Sequence, residues 1–314
     1  MGNRSGFGIA MLSIAALATL GSNAQSKEFR QDVEFQRGGS LTLNVGRGSV
    51  NLSSWGETEI RINALIEAPK GVDPEYARKI VEAAWVGLEG GLRSLTIRSV
   101  YDDVPFREEG GGSGTRILPD IHYRIQAPGR LNLHVNASRT RIDISGFEGR
   151  ISVQARRGDY QIRNLHGHIR LQVSRGKLIA NDLNGSVNIT GKRSSISAKG
   201  ISGPVNLDVS RGKAGLSGIR GSLNAKSNRA QLKVSEIQID GNSRIENYRG
   251  TTRITIPDSL GLSIRTDLGR RGQLNSDFEI TMSEITGRNF VGSLNGGGHE
   301  LYLKTDRGTI FLKR

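Results

Sequence analysis

The residues best suited to hold a ligand are arginines that recur at a fixed interval in the middle of the chain. Successive members follow one another at a constant 18-residue interval: Arg139, Arg157, Arg175, Arg193, Arg211 and Arg229. A guanidinium group stays charged at physiological pH and presents a planar fork of donors to phosphate, sulfate or carboxylate. The row is therefore a candidate binding site for an anionic polymer.

Groups for catalysis or metal binding are sparse. His166 and His168 flank Gly167 without a third ligand column, whereas zinc takes three or four protein ligands. The acidic residues of the central part occupy different positions of the repeat: Asp143, Glu148, Asp159, Asp182 and Asp208. They form neither a calcium ladder nor the clustered carboxylates of polysaccharide-cleaving enzymes. The chain lacks cysteine and the common hydrolase and phosphate-loop motifs, so we expect no enzymatic activity, no metal and no cofactor.

The positive charge of the chain is concentrated around these arginines. The net charge is +14, and residues 138–234 carry 18 basic and 5 acidic residues, whereas the segments on either side are nearly neutral. Equivalent residues of stacked turns lie about 4.8 Å apart, so the row repels itself, and a polyanion would relieve that repulsion. The alternative is a solvated corner, with some arginines paired to Asp143, Asp159 or Asp208.

Apolar residues repeat with the same period and define the elements that carry the arginines. Four columns run at the 18-residue interval: Ile142, Tyr160, Leu178, Ile196, Ala214 and Leu232; Phe147, Leu165, Leu183, Ile201, Ile219 and Ile237; Ile151, Ile169, Val187, Val205 and Leu223; Val153, Leu171, Ile189, Leu207 and Ala225. Within a unit, apolar and polar residues alternate as in strands, and glycines mark the turns. The pattern predicts a mostly β protein, a single-stranded β-solenoid with 18-residue turns.

Weaker copies of the unit flank the array. Residues 41–55 and 301–312 repeat its apolar spacing and its Arg-Gly step, so we expect β segments at 25–137 and 235–314, the latter continuing the solenoid of 138–234. One short helix is predicted at about 73–89, with Asp73 as its N-cap and Pro74 in its first turn. Its apolar face would comprise Tyr76, Ile80, Val81, Ala84 and Leu88. Because a solenoid has open ends, this helix is a candidate cap.

The first 24 residues have the pattern of a secretory signal peptide. Arg4 precedes an apolar stretch of 14 residues, Phe7–Leu20, and small residues precede a cleavage point after Ala24. No later segment has the length of a membrane span. We expect an exported protein, periplasmic or at the cell surface, with no membrane span in the mature chain.

The chain resembles the bacterial β-strand-repeat domains known as putative adhesins. The shared features are the glycine-led strand pattern of Gly38–Leu52, the proline-led strand that enters at Ala127-Pro128, the stacked repeats of 138–234, and the closing strand of Asp306–Leu312. The resemblance implies a β-solenoid and a binding role, and it brings no catalytic residues.

The sequence therefore predicts an exported, non-catalytic adhesin or binding protein of the cell envelope. The expected partner of its basic face is an anionic polysaccharide or lipopolysaccharide. The alternatives are a structural scaffold that binds an envelope protein and, less favoured, a polysaccharide-degrading β-helix enzyme. Nucleic acid is a poor candidate because the array has no aromatic platform for stacking bases.

Overall fold

A computed structural model describes residues 25–107 and 115–314. The predicted signal peptide, residues 1–24, lies outside the described residues. Twenty strands and one helix follow in chain order: β1 (Ser26–Glu34), β2 (Ser40–Trp55), β3 (Glu59–Glu67), α1 (Pro74–Ala83), β4 (Trp85–Gly91), β5 (Ser94–Val100), β6 (Asp120–Pro128), β7 (Asn132–Ser145), β8 (Glu148–Ser202), β9 (Val205–Ser210), β10 (Lys213–Arg220), β11 (Leu223–Asn228), β12 (Ala230–Gln238), β13 (Ser243–Asn247), β14 (Gly250–Thr255), β15 (Leu262–Leu268), β16 (Gln273–Ser276), β17 (Thr281–Thr286), β18 (Asn289–Leu294), β19 (Glu300–Thr305) and β20 (Thr309–Lys313).

The central strands stack in parallel with the register that the sequence period predicts. Ile142 lies opposite Tyr160, and Ala214 lies between Ile196 and Leu232, so that each residue faces its equivalent one period away. Because every turn has the same length, residues at equivalent positions become neighbours along the stack. The predicted β-solenoid is confirmed.

The four apolar columns form the core of the stack. Every residue named in these columns is at most 3% exposed. Burying an aliphatic or aromatic side chain contributes about 1.5–3 kcal/mol. No single turn can enclose its apolar face alone, so the stability of each turn depends on its neighbours.

Glycine is required at one corner of each turn because adjacent turns come too close there for a side chain. At Gly167, φ is +111° and a Cβ atom would lie 2.3 Å from the carbonyl oxygen of Gly149. Gly185 repeats this relation one turn later, where a Cβ would lie 2.2 Å from the oxygen of Gly167. The glycine column of the sequence thus reflects backbone contact between turns as well as turn conformation.

Both ends of the stack depart from chain order. At the N-terminal end β2 pairs on one side with β7 and on the other with β5 and β6. At the C-terminal end β19 lies between β13 and β15, and β20 lies between β14 and β16. The two flanking copies of the unit seen in the sequence are therefore complete turns inserted between segments distant along the chain.

The helix is shorter than the sequence predicts. It begins as expected, with the Asp73 carboxylate accepting hydrogen bonds from the backbone N–H groups of Glu75 and Tyr76 at 3.0 and 3.1 Å. It ends at Ala83, however, and residues 85–91 form β4, in which Leu88 lies opposite Ile97 of β5. Residues 84, 86 and 88 are apolar at the two-residue spacing of a strand, while residues 84 and 88 also fit one face of a helix. Pairing with β5 favours the strand.

The expectation that the helix caps the stack is also modified. On this side the outer partners of β5 and β6 are the antiparallel strands β4 and β3, while α1 packs against the core through Ala77, Ile80 and Val81. Antiparallel strands thus satisfy the edges that the helix was expected to cover. None of the helices among residues 25–107 and 115–314 is long and apolar enough to cross a membrane.

Candidate anion-binding groove

The six predicted arginines lie side by side along one corner of the solenoid. Strand pairing places Arg139 opposite Arg157, and the 18-residue register carries the row forward to Arg229. All six side chains are exposed. Within the described residues none of them has a carboxylate within 4.0 Å; Asp143 instead pairs with Arg163 at 2.7 Å. The row is therefore not neutralised by the acidic residues that the sequence offered as partners.

The backbone at this corner is unusual for arginine. Four members of the row adopt a left-handed conformation: Arg175 at φ 67°, and Arg193, Arg211 and Arg229 at φ 53°. This conformation costs an L-residue about 1–2 kcal/mol, and glycine, asparagine and aspartate adopt it most readily.

The opposite corner of the solenoid shows the expected composition at the same backbone conformation. Its left-handed positions are Gly146, Asn164, Asp182, Gly200, Gly218 and Glu236. Five of these six are glycine, asparagine or aspartate, whereas all four positions of the arginine corner with φ between 53° and 67° are arginine. The adjacent Gly158 and Gly176 also have positive φ, at 149° and 151°. Strained backbone of this kind concentrates where function requires a particular side chain.

An open groove of 1180 Å³ runs along the stack beside the arginines. One wall is formed by Arg139, Arg157, Arg175, Arg193 and Arg211; Arg229 lies one turn beyond the lining residues. The lining also includes the buried apolar residues Val45, Ala137, Ala155 and Val173, and a row of neutral polar residues that we call the neutral wall: Asn44, Asn136, Gln154, Gln172 and Thr190.

The neutral wall is a ladder of hydrogen-bonding groups, one in each turn. The Nδ2 group of Asn136 donates to the Oδ1 atom of Asn44 at 2.9 Å, which joins adjacent turns. The side chains of Gln154, Gln172 and Thr190 form no hydrogen bond within the described part of the chain, so their polar groups can bind a ligand. The groove thus combines cations on one side with neutral donors and acceptors on the other.

The arginine row is longer in space than in sequence. At one end of the row, Arg47 lies opposite Arg139. At the other end, Arg249 lies beside Arg229, because these two arginines directly precede the paired residues Gly250 and Ala230. The N–H group of Arg307 donates to the carbonyl of Tyr248, which places Arg307 on the next turn. The Arg-Gly steps at 47–48, 249–250 and 307–308 were the sequence signal for these members, but they fall outside the 18-residue period.

These outer members are partly neutralised. The guanidinium of Arg47 lies 3.1 Å from the carboxylate of Asp120, and that of Arg307 lies 3.4 Å from Asp306. Two of the three outer members are thus paired, whereas Arg249, like the six central arginines, has no carboxylate within 4.0 Å among the described residues.

The neutral wall changes character beyond Thr190. Its next members are Asp208, Lys226, Glu246 and Lys304. Lys304 lies 2.6 Å from Asp267, and its hydrogen bond holds the pKa of that carboxyl below its usual value. Alternating charges of this kind neutralise one another, so the basic groove ends where the ion pairs begin.

The histidines form no site of their own. His166 and His168 are exposed on either side of Gly167. Among residues 25–107 and 115–314, no group of three or more His, Asp or Glu side chains could hold a metal ion.

The stack and its groove define a parallel β-solenoid with a basic corner, whose six central arginines have no carboxylate partner among the described residues. The Toastrack DUF4097 family matches residues 123–313, more than half of the chain, and the chain belongs to this family. The resemblance predicted from the sequence is confirmed at the level of the fold.

Three solved structures illustrate the similarity. A putative cell adhesion protein from Clostridium sporogenes is 16% identical, with 92% of this chain and 99% of that chain covered and a TM-score of 0.24. A putative lipid binding protein from Parabacteroides distasonis is 11% identical, covering 91% and 97%, with a TM-score of 0.30. A putative adhesin from Bacteroides fragilis is 11% identical, covering 91% and 96%, with a TM-score of 0.27.

Two of these proteins are named for adhesion and one for lipid binding, and none of the three is named as an enzyme. At such identities and TM-scores they carry no argument about the ligand of this chain. No curated protein is similar to the chain in sequence.

Proposed function

We propose that the protein is an exported, non-catalytic binding protein that holds an anionic polymer along the arginine corner. The observation that supports this most directly is the set of five exposed arginines on one groove wall, none within 4.0 Å of a carboxylate in the described chain. Adjacent turns are about 4.8 Å apart, so the charges oppose one another until a ligand compensates them.

The mechanism is multivalent electrostatic attachment. Each arginine binds one acidic group, and successive turns bind successive groups of the same polymer, so that each bound group raises the effective concentration of the next. Counterions of the polymer are released on binding, which makes the affinity depend on salt. For five contacts we expect the affinity to fall by about 100-fold between 50 and 200 mM salt.

The test is a change of Arg157, Arg175, Arg193 and Arg211 together to Gln. Binding of polygalacturonate and of purified lipopolysaccharide is measured across a salt series, one as a carboxylate polymer and the other as an envelope phosphate source. The variant is expected to lose most of its affinity for the polymer that binds, together with most of the salt dependence. Unchanged binding would refute the proposal.

A matched control removes the same charge elsewhere. Arg150, Lys199, Arg220 and Lys233 are exposed and lie outside the groove lining. Their joint change to Gln lowers the net charge by the same four units and is expected to reduce affinity only slightly. Equal losses in the two variants would mean that net charge, and not the arginine corner, governs binding.

A further inference from the structure

A second set of cations follows the arginine row with twice its period. The position just before each groove arginine is occupied in turn by Ser138, Arg156, Ser174, Lys192 and Ser210, all of which line the groove. Serine and a cation thus alternate strictly over five turns. The spacing between the two cations is two turns, or about 9.6 Å.

The position two residues after each arginine also alternates, but its cations lie in the turns where the residue before the arginine is serine. It is occupied in turn by Arg141, Asp159, Lys177, Ser195 and Lys213, and none of these lines the groove. Every groove turn therefore carries a second cation beside its arginine, but only every second turn carries it on the groove side. Staggering keeps the extra cations of each row about one Debye length apart, which limits their repulsion.

The groove consequently has two different repeats. Hydrogen-bonding groups of the neutral wall recur in every turn, as in Gln154, Gln172 and Thr190, whereas the paired cations recur in every second turn. A polyphosphate has no hydroxyl groups to donate to the amide oxygens of the neutral wall. A linear sugar chain has hydroxyl groups on every unit, and amide side chains donate to and accept from hydroxyls.

From this pattern we infer that the groove binds a linear polysaccharide in which acidic sugars alternate with neutral sugars. This inference rests on the proposed function and deepens it by naming the class of polymer. In an extended glycan, one sugar occupies each turn. Carboxylates of the acidic sugars lie at the turns of Arg157 and Arg193, between the row arginine and the second cation, and neutral sugars lie at the serine turns.

The first test exchanges the second cations for serine. Oligomers of alternating glucuronate and N-acetylglucosamine are the probe, and their affinity is measured for the double variant Arg156→Ser/Lys192→Ser. The matched control, Lys177→Ser/Lys213→Ser, removes two cations from the same corner outside the groove. We expect about a tenfold loss for the groove variant and less than threefold for the control. Equal losses would overturn the inference.

The second test leaves the charge unchanged. The variant Gln154→Ala/Gln172→Ala is expected to bind the glycan oligomers several-fold more weakly, while its affinity for inorganic polyphosphate of equal charge is unaltered. Circular dichroism checks that each variant is folded. An unchanged glycan affinity would overturn the inference, as would a wild-type protein that binds polyphosphate but not the glycan.

The two proposals fail in distinguishable ways. If the four-arginine variant loses polyphosphate binding while the serine and alanine variants behave as wild type, the anion-binding corner stands and the alternating glycan is wrong. If the four-arginine variant binds every probe as wild type does, the proposed function itself is wrong.

Discussion

The left-handed arginines allow a test of whether this corner sacrifices stability for a particular side chain. Arg193 and Arg211 both have φ of 53°, whereas the backbone at Arg139 and Arg157 is not left-handed. The four residues belong to the same row and are all exposed. Changing Arg193 and Arg211 to Asn removes two neighbouring charges, and so does changing Arg139 and Arg157 to Asn. Only the change at Arg193 and Arg211 also relieves backbone strain.

The expected difference follows from the conformational cost. We take about 0.7 kcal/mol per site as the gain when asparagine replaces arginine in the left-handed region. Arg193→Asn/Arg211→Asn should therefore be about 1.4 kcal/mol more stable than Arg139→Asn/Arg157→Asn. For a chain of this size the difference corresponds to about 2 °C in Tm.

The assay is urea unfolding of both double variants at 0.15 M and 1 M salt. Charge repulsion is screened at high salt, whereas the backbone contribution persists, so the difference between the variants should survive the salt increase. A difference that vanishes at 1 M salt, or two variants that are equally stabilised, would refute the strain argument. A lower stability of Arg193→Asn/Arg211→Asn than of the wild type would show that the arginine side chains themselves stabilise the corner.

Three further changes test the fold. Gly167→Ala should destabilise the stack by more than about 2 kcal/mol, since its Cβ would lie 2.3 Å from the oxygen of Gly149, whereas Gly215→Ala, with no atom within 4 Å, should be nearly neutral in thermal unfolding. Tyr160→Phe should raise stability by about 1 kcal/mol because its buried hydroxyl has no partner in the described chain. Burial raises the pKa of Tyr160 to about 12, so this hydroxyl ionises at lower pH in the unfolded chain than in the folded one. The wild type should therefore lose stability as the pH rises from about 10 towards 12. The Phe variant should lose less. Asp73→Ala should cost about 1 kcal/mol of stability by removing the helix cap, measured by urea unfolding against Asp102→Ala as a loop control.

The core and the main arginine row could be predicted because in this fold the sequence period is also the spatial period. Ile142 and Tyr160 are separated by one 18-residue period and lie directly opposite each other, so a column in the sequence becomes a column in the stack. The left-handed backbone at Arg193 could not be predicted, because arginine has no preference for that conformation and only the closure of the turn imposes it.

The structure of the two ends of the molecule was predicted less well from the sequence. The helix was predicted too long, since residues 84–88 fit both a helix and a strand, and their pairing with β5 is a tertiary contact. The insertion of β2 beside β7 joins residues 92 positions apart, as in the pair Arg47 and Arg139, and no local pattern encodes such a pairing.

By itself, the sequence determined the solenoid, its period, the buried columns and the row of arginines, because equal turn lengths bring equivalent positions together. Tertiary structure alone decided that the row and the neutral wall of Asn136, Gln154 and Gln172 line the same open groove. The physical reason is that the two rows are only three residues apart on the same strand, as Asn136 and Arg139 are in β7, and the backbone conformation between them is set by the closure of the turn.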